Sequence, residues 1–426
     1  MVLRLSKYLF LLLVFSLPLV RPFNFTLFGL LVPYTDLIFV AAFGLWCIAV
    51  IRREKSPRFD RLFLFVGLYA AAFTISTILS VDPEKSFYKL LGEYYLFGLC
   101  FLTYDLANEP KFQKQVVIAW LAGTGVTALA SIAGFVLFYA GFKTNFDNYF
   151  LSHLGSLPAG DYPRIHALFA NANMLCNYIN VSVVLILLAA HLGWIKKRMA
   201  LILGAGTLFS ALFSISPGLG GIALSVGLWV WAVAQKRWFA RPALACGVVL
   251  AVLAFATTLV SPDTNNTAQE IPLPFIEKKL EPSVRVLVWQ DTLQTVRQYP
   301  WFGKGTGMDV ANTRYEVLSG MQQLLRDAHN NWLNILGQTG VFGLAAYMLL
   351  LIYLIKRCRF SISDGRDERY NHVALSLAFV GAFLYQGLGA SFEDARHLWV
   401  LVGLLGAIST VLANAENDTS LASTKP

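Results

Sequence analysis

The stretch RDAHNNWLNILGQTGVFG, Arg326 to Gly343, sets a histidine and two asparagines directly before an apolar helical pattern. Histidine is the side chain that changes charge between about pH 5 and 8, and a neutral imidazole can take a proton from a hydroxyl. His329 is therefore a candidate general base, the competing reading being a solvated histidine at an interface. Asn330 or Asn331 suits the N-cap of the following helix, because a side-chain oxygen there accepts a first-turn N–H.

Similar polar clusters stand at other mouths. Arg164 lies in YPRIHALFANANMLCNYI, with His166, Asn171 and Asn173 close by. A guanidinium fork can bridge two oxygens of a pyrophosphate, or simply bind lipid phosphate at a membrane surface. Arg285 opens VRVLVWQDTLQTVRQYPWFGKGTG. At helical spacing Arg285, Trp289, Thr292 and Val296 share a face, with Ser283 a candidate N-cap and Pro300 a stop signal. That pattern predicts an amphipathic helix on a membrane surface, its arginine reaching a headgroup or merely snorkelling. Gly303 to Gly307, GKGTG, could curl into a nest of backbone N–H groups for an anion, although a plain turn fits it better. It lacks the spacing of a nucleotide-phosphate loop. EDARHLW places Glu393, Asp394, Arg396 and His397 where the last apolar run begins; an ion pair anchoring the helix end is the simpler reading, above all for Asp394 and His397. Glu93 sits about one turn inside an earlier apolar run, shallow enough to be wetted.

The elements that must position these residues are set by composition. The chain is 56% hydrophobic and 14% charged, against roughly 25% charged in soluble domains. With a mean hydropathy of +0.58 and repeated apolar runs near 20 residues, it reads as an all-α, polytopic integral membrane protein. The net charge of +9 is then first an orientation signal and no argument for nucleic acid. Twelve spans are predicted, near 8–20, 34–51, 61–80, 88–105, 115–140, 173–193, 199–215, 219–234, 242–261, 332–355, 371–391 and 396–413. The first follows Arg4 and Lys7 as a signal peptide would, but Arg21-Pro22 replaces a cleavage site, so it reads as a retained span. The five cysteines show no metal-ligand or CxxC spacing.

On these limits alternate connections hold about 20 of the 34 basic residues, which puts both termini and the basic loops in the cytoplasm. The chain divides into N-terminal helices (1–140), an outer loop (141–172), central helices (173–261), a large outer loop carrying amphipathic helices (262–331), C-terminal helices (332–413) and a polar tail (414–426) expected to be disordered. Arg164, Arg285, His329 and Arg396, from four distant parts of the chain, fall on one outer side. ATP and nucleotide sugars are not expected there.

The order ALFANAN after an arginine, then SPG, then SVRVLVW and YPWFGKGTG, then HNNWLNILGQTGVFG, then EDAR, resembles the O-antigen ligase and polymerase family over roughly residues 160 to 405. His329 and Gly340 match its His-x10-Gly, and Arg164 to Leu168 matches the Arg-x3-Leu element of ligases. The resemblance implies a GT-C-like membrane glycosyltransferase of the bacterial inner membrane that needs neither nucleotide, metal nor other cofactor. Its donor would be an undecaprenyl-pyrophosphate-linked glycan and its acceptor lipid A-core or another saccharide. Carried over by motif, His329 would be the base and Arg164 and Arg285 would hold the pyrophosphate. Asn330, Trp289, Arg396, Glu393 and His166 are candidate supporting residues beside them. Many members have Ser-Arg-Gly where this chain has Ser216-Pro217-Gly218, so no role passes to that loop. The first 150 residues offer no motif.

A polymerase that lengthens the glycan on its carrier uses the same donor chemistry; the Arg-x3-Leu element and compact outer loops favour the ligase. A ligase acting on protein would carry a longer C-terminal part. A transporter would place ionisable or broken-helix sites near the membrane midplane, often in repeated halves; here the polar residues lie at the mouths and no repeat is visible.

Overall fold

In the computed structural model the described residues are 1–21, 24–27, 30–141, 151–153, 163–259, 271–272, 279–280, 284–316, 322–360, 362, 366–386 and 395–423. They form thirteen helices: α1 Val2–Ser16, α2 Tyr34–Ile51, α3 Leu62–Ile78, α4 Pro83–Leu106, α5 Pro110–Tyr139, α6 Ala172–His191, α7 Lys197–Phe213, α8 Leu219–Val233, α9 Ala240–Leu259, α10 Val284–Gln298, α11 Asn331–Arg357, α12 Asp367–Gln386 and α13 Arg396–Ser423. Each predicted span overlaps one of these helices in sequence, and α10 lies in the segment read as amphipathic. The first helix lies earlier than the predicted 8–20, because Pro18 cannot continue it.

Among the described residues five helices are long and apolar enough to cross a membrane: α2, α5, α6, α9 and α11. Leu62–Ile78, Leu219–Val233 and Arg396–Leu412 are apolar but shorter. The burial of these helices separates two roles. α6 is buried nearly all round and packs against α7, α8 and α12. α9 packs mainly on α8 and leaves Val249, Val252 and Leu253 exposed. An apolar row of that kind is stabilised by lipid, which does not order water around it.

Several expectations change. α13 continues to Ser423, through the tail expected to be disordered from 414. A helix already nucleated in the bundle extends at one hydrogen bond per residue, so a polar sequence can follow it. Glu93 is 1% exposed, packed inside the protein instead of wetted. Among the described residues the connections between helices hold four two-stranded antiparallel hairpins: β1 Asn24–Leu27 with β2 Leu30–Pro33, β3 Leu151–His153 with β4 Pro163–Ile165, β5 Ile271–Pro272 with β6 Lys279–Leu280, and β7 Thr313–Glu316 with β8 Gln322–Leu325. Strands of two to four residues are too short for an alternating pattern to announce them.

Candidate active site

The site is built on a break in α11. Asn330 caps this helix, its Oδ1 accepting the N–H groups of Trp332 (3.0 Å) and Leu333 (3.3 Å). Ten residues later the helix is interrupted at Gly340, at φ 67° and ψ −166°. Only glycine tolerates that region at little cost, and a Cβ here would lie 2.2 Å from the Trp301 carbonyl oxygen.

The loop after α10 repairs the break. Val341 and Phe342 donate to the carbonyls of Pro300 (2.9 Å) and Trp301 (3.3 Å). In return Lys304 donates to Gly337 (2.9 Å) and Gly305 to the Gln338 carbonyl (3.0 Å), while Gly307 donates to Gln338 Oε1 (2.8 Å). The GKGTG segment is thus no anion nest: the N–H groups of Lys304, Gly305 and Gly307 go to α11, and that of Gly303 goes to Tyr299 at 3.2 Å. Pro300 does mark the stop, since α10 ends at Gln298.

This stitching fixes α10 against α11. Val288 and Thr292 are buried, and Arg285 and Trp289 flank them partly buried. The face predicted from spacing is therefore real, and it packs on α11. Trp289 Nε1 donates to the Ala328 carbonyl at 3.0 Å, which ties α10 to the loop before α11. The proposed cap Ser283 lies outside the described residues, as do Glu393 and Asp394.

In that loop His329 adopts φ 47°, a left-handed conformation uncommon outside glycine. It turns the residue back on Asp327: Asp327 Oδ1 accepts the His329 backbone N–H at 2.7 Å and meets ring Nδ1 in a second hydrogen bond. A carboxylate can only accept, so Nδ1 carries the proton in this pair, and Nε2 is the basic nitrogen of the neutral ring. Burial raises the Asp327 pKa, but the ring and N–H of His329 and the charge of Arg285 outweigh it and hold the carboxyl below its ordinary range.

Arg164 is set by the third side of the site. Its Nε donates to the Ser214 carbonyl at 3.1 Å, and an Nη contacts Asn173 Oδ1 at 3.4 Å. Ser216 donates to the same Asn173 oxygen at 2.8 Å. The SPG loop, to which the sequence assigned nothing, thus positions this arginine. The segment after α1 helps too, because the Leu168 carbonyl accepts the N–H groups of Val20 (3.2 Å) and Arg21 (2.8 Å). Left-handed φ values recur at Ala167 (49°) and Ile215 (45°). Such strain, about 1–3 kcal/mol per residue, concentrates at functional sites.

Burial pushes the Arg285 pKa down, and the nearby Arg164 charge adds to that, while Asp327 opposes it. Burial also lowers that of Arg164. Three segments far apart in sequence, around Arg164, Arg285 and Asp327–His329, therefore act on one another electrostatically. The two guanidinium groups repel each other in a partly dry place, and the Asp327 carboxylate offsets part of that repulsion on Arg285.

The other predicted residues are placed differently. Arg396 makes a two-pronged ion pair with Asp36, at 2.8 and 2.9 Å, bracing the start of α13 against α2. His397 is buried with its Nε2 2.7 Å from Asn177 Oδ1, a contact with a neutral amide of α6 in place of the ion pair expected there. His166 is buried, its carbonyl accepting the Phe169 N–H at 3.0 Å. Asp327 was not singled out by sequence reasoning; its place two residues before His329 is the signal that could have found it. Among the described residues no group of three or more His, Cys, Asp or Glu could hold a metal ion.

The family model described as O-Antigen ligase matches residues 218–348. This segment contains Arg285, Asp327, His329 and Gly340, while Arg164 lies outside it. The match supports membership of the O-antigen ligase/polymerase family. No curated protein and no solved structure matches the chain.

Proposed function

We propose that the chain is a GT-C-like O-antigen ligase. It transfers a glycan from undecaprenyl pyrophosphate to lipid A-core, or to a related saccharide acceptor, at the periplasmic face of the bacterial inner membrane. In this reading twelve helices span the membrane and both termini are cytoplasmic. The observation that carries the proposal is the grouping of two arginines beside an Asp327–His329 pair.

The chemistry follows from the charges. Asp327 holds the Nδ1–H of His329, so Nε2 takes the proton of the acceptor hydroxyl. The oxygen attacks the anomeric carbon of the donor glycan, a new C–O bond forms, and the bond to the pyrophosphate oxygen breaks. Its electron pair leaves on the pyrophosphate, whose growing negative charge Arg164 and Arg285 offset in a partly dry site. General-base help of this kind contributes roughly 10²–10⁴-fold.

The test uses purified enzyme with lipid-linked donor and lipid A-core. His329→Asn tolerates the left-handed backbone but cannot serve as the base. Transfer should fall by roughly 10²-fold or more, with donor binding retained. Near-normal turnover would refute the base assignment. A product that stays on the polyprenyl carrier and grows longer would make the enzyme a polymerase.

A further inference from the structure

The His329 side chain is 37% exposed, so packing alone does not aim its ring. The aim comes from the backbone that carries it, and that backbone takes a left-handed φ of 47°, a conformation that persists only where the surroundings impose it. Much of that constraint falls on the residue before. Ala328 is fully buried, and side chains take both of its polar groups. Its N–H donates to Asn334 Oδ1 at 3.1 Å, and its carbonyl accepts Trp289 Nε1 at 3.0 Å.

Two helices thus grip one residue. Asn334 lies in the first turn of α11, and Trp289 lies on α10 one turn after Arg285. The backbone on either side is fixed as well. The Arg326 carbonyl accepts the N–H groups of Val310 (3.0 Å) and Ala311 (3.1 Å), and His329 donates its N–H to Asp327 Oδ1 at 2.7 Å. Asn334 is not the cap of α11, since Asn330 already meets the N–H groups of Trp332 and Leu333. A backbone N–H only donates, so the buried Asn334 amide must present its oxygen to Ala328. A buried N–H stripped of its acceptor is costly. Removing this oxygen would therefore send the Ala328 peptide to another partner and swing His329 with it.

We infer that Asn334 is a positioning residue for His329, acting through the Ala328 peptide, with Trp289 as the other half of the grip. The inference rests on the reading of His329 as the base. Asn334 then acts on the rate of the proton transfer and not on donor binding, which in that reading belongs to Arg164 and Arg285.

The test is a double-mutant cycle on the purified full chain with lipid-linked donor and lipid A-core. Asn334→Leu has nearly the same shape and no acceptor. It should lower kcat by roughly 10–10²-fold, since a misplacement of about 1 Å costs on the order of 10²-fold, and leave the donor concentration for half-maximal rate unchanged. Asn334→Asp keeps an oxygen in that place and should restore most of the rate. Trp289→Phe, which keeps an aromatic ring and loses the N–H, should lower kcat in the same direction. In a His329→Asn background Asn334→Leu should add no further loss, because no base is left to aim. A merely structural Asn334 would slow both backgrounds by the same factor, since a smaller folded fraction acts on either protein alike. That outcome overturns the inference, as does an unchanged kcat in Asn334→Leu. If Asn334→Leu yields no folded protein, the same cycle with Trp289→Phe decides by the same two outcomes. Near-normal turnover of His329→Asn alone would instead remove the base reading, and this inference with it.

Discussion

Asp327 receives two hydrogen bonds from a single residue, the backbone N–H of His329 at 2.7 Å and its ring Nδ1. The left-handed turn at His329 makes this possible by folding the residue back over its own N-terminal neighbour. Backbone and ring are therefore oriented by one carboxylate. Its folded-state pKa is depressed, so its contribution to stability is present above the ordinary carboxylate value, about 3.9, and is lost only as pH falls through the lowered one.

Asp327→Asn should preserve the shape of this turn and remove its charge. An amide does not stabilise an imidazolium, so turnover should fall by roughly 10²-fold. Turnover of the two proteins with saturating donor tests this; equal rates would show that Asp327 does not act on the base.

Arg285→Lys keeps a positive charge but loses the planar fork that can span two phosphate oxygens. Protein level and melting temperature should be unchanged, while the donor concentration for half-maximal rate rises about tenfold, the effect of one charge-assisted hydrogen bond of roughly 1.5 kcal/mol. Unaltered donor dependence would reduce Arg285 to a packing residue on α10.

Asn173→Ala should act on Arg164 without touching substrate. It removes the oxygen shared by the Arg164 guanidinium and the Ser216 hydroxyl. Donor use should weaken by about five- to tenfold, in line with a lost hydrogen bond of roughly 1 kcal/mol. Asn173→Asp, which keeps an acceptor there, should restore much of it. Equal loss in both variants would point to packing at the start of α6.

Gly340→Ala should loosen the join between α11 and the 300–307 loop. Beyond the about 1–3 kcal/mol for the backbone conformation, the added Cβ would collide with the Trp301 carbonyl. The melting temperature in detergent should drop clearly and transfer should fall with it. An unchanged melting temperature would mean that α11 can close over the break.

A reporter fused after Ser261 should read as periplasmic, and one after Arg359 as cytoplasmic, since basic loops alternate along the chain. The reverse pattern would put His329 in the cytoplasm and remove the proposed chemistry.

The sequence by itself determined which segments are helices, because apolar periodicity and length are properties of each segment alone. It also marked Arg164, Arg285 and His329, since arginine and histidine at helix mouths carry chemistry wherever the chain takes them. It placed the cap at Asn330 or Asn331 and the stop at Pro300 for the same local reason. What it could not show was the break in α11. LNILGQTGVFG reads as uninterrupted helix, and the break exists only because the backbone at 300–305 supplies replacement hydrogen bonds. Nor could it show that Asn173 and Ser214 hold Arg164, that the Leu168 carbonyl is met by Val20 and Arg21, or that Arg396 is taken by Asp36. Those pairings depend on which helix lies beside which. Hydropathy fixes that a face is buried but not its neighbour, and only the tertiary structure decides which polar groups find each other once water is excluded.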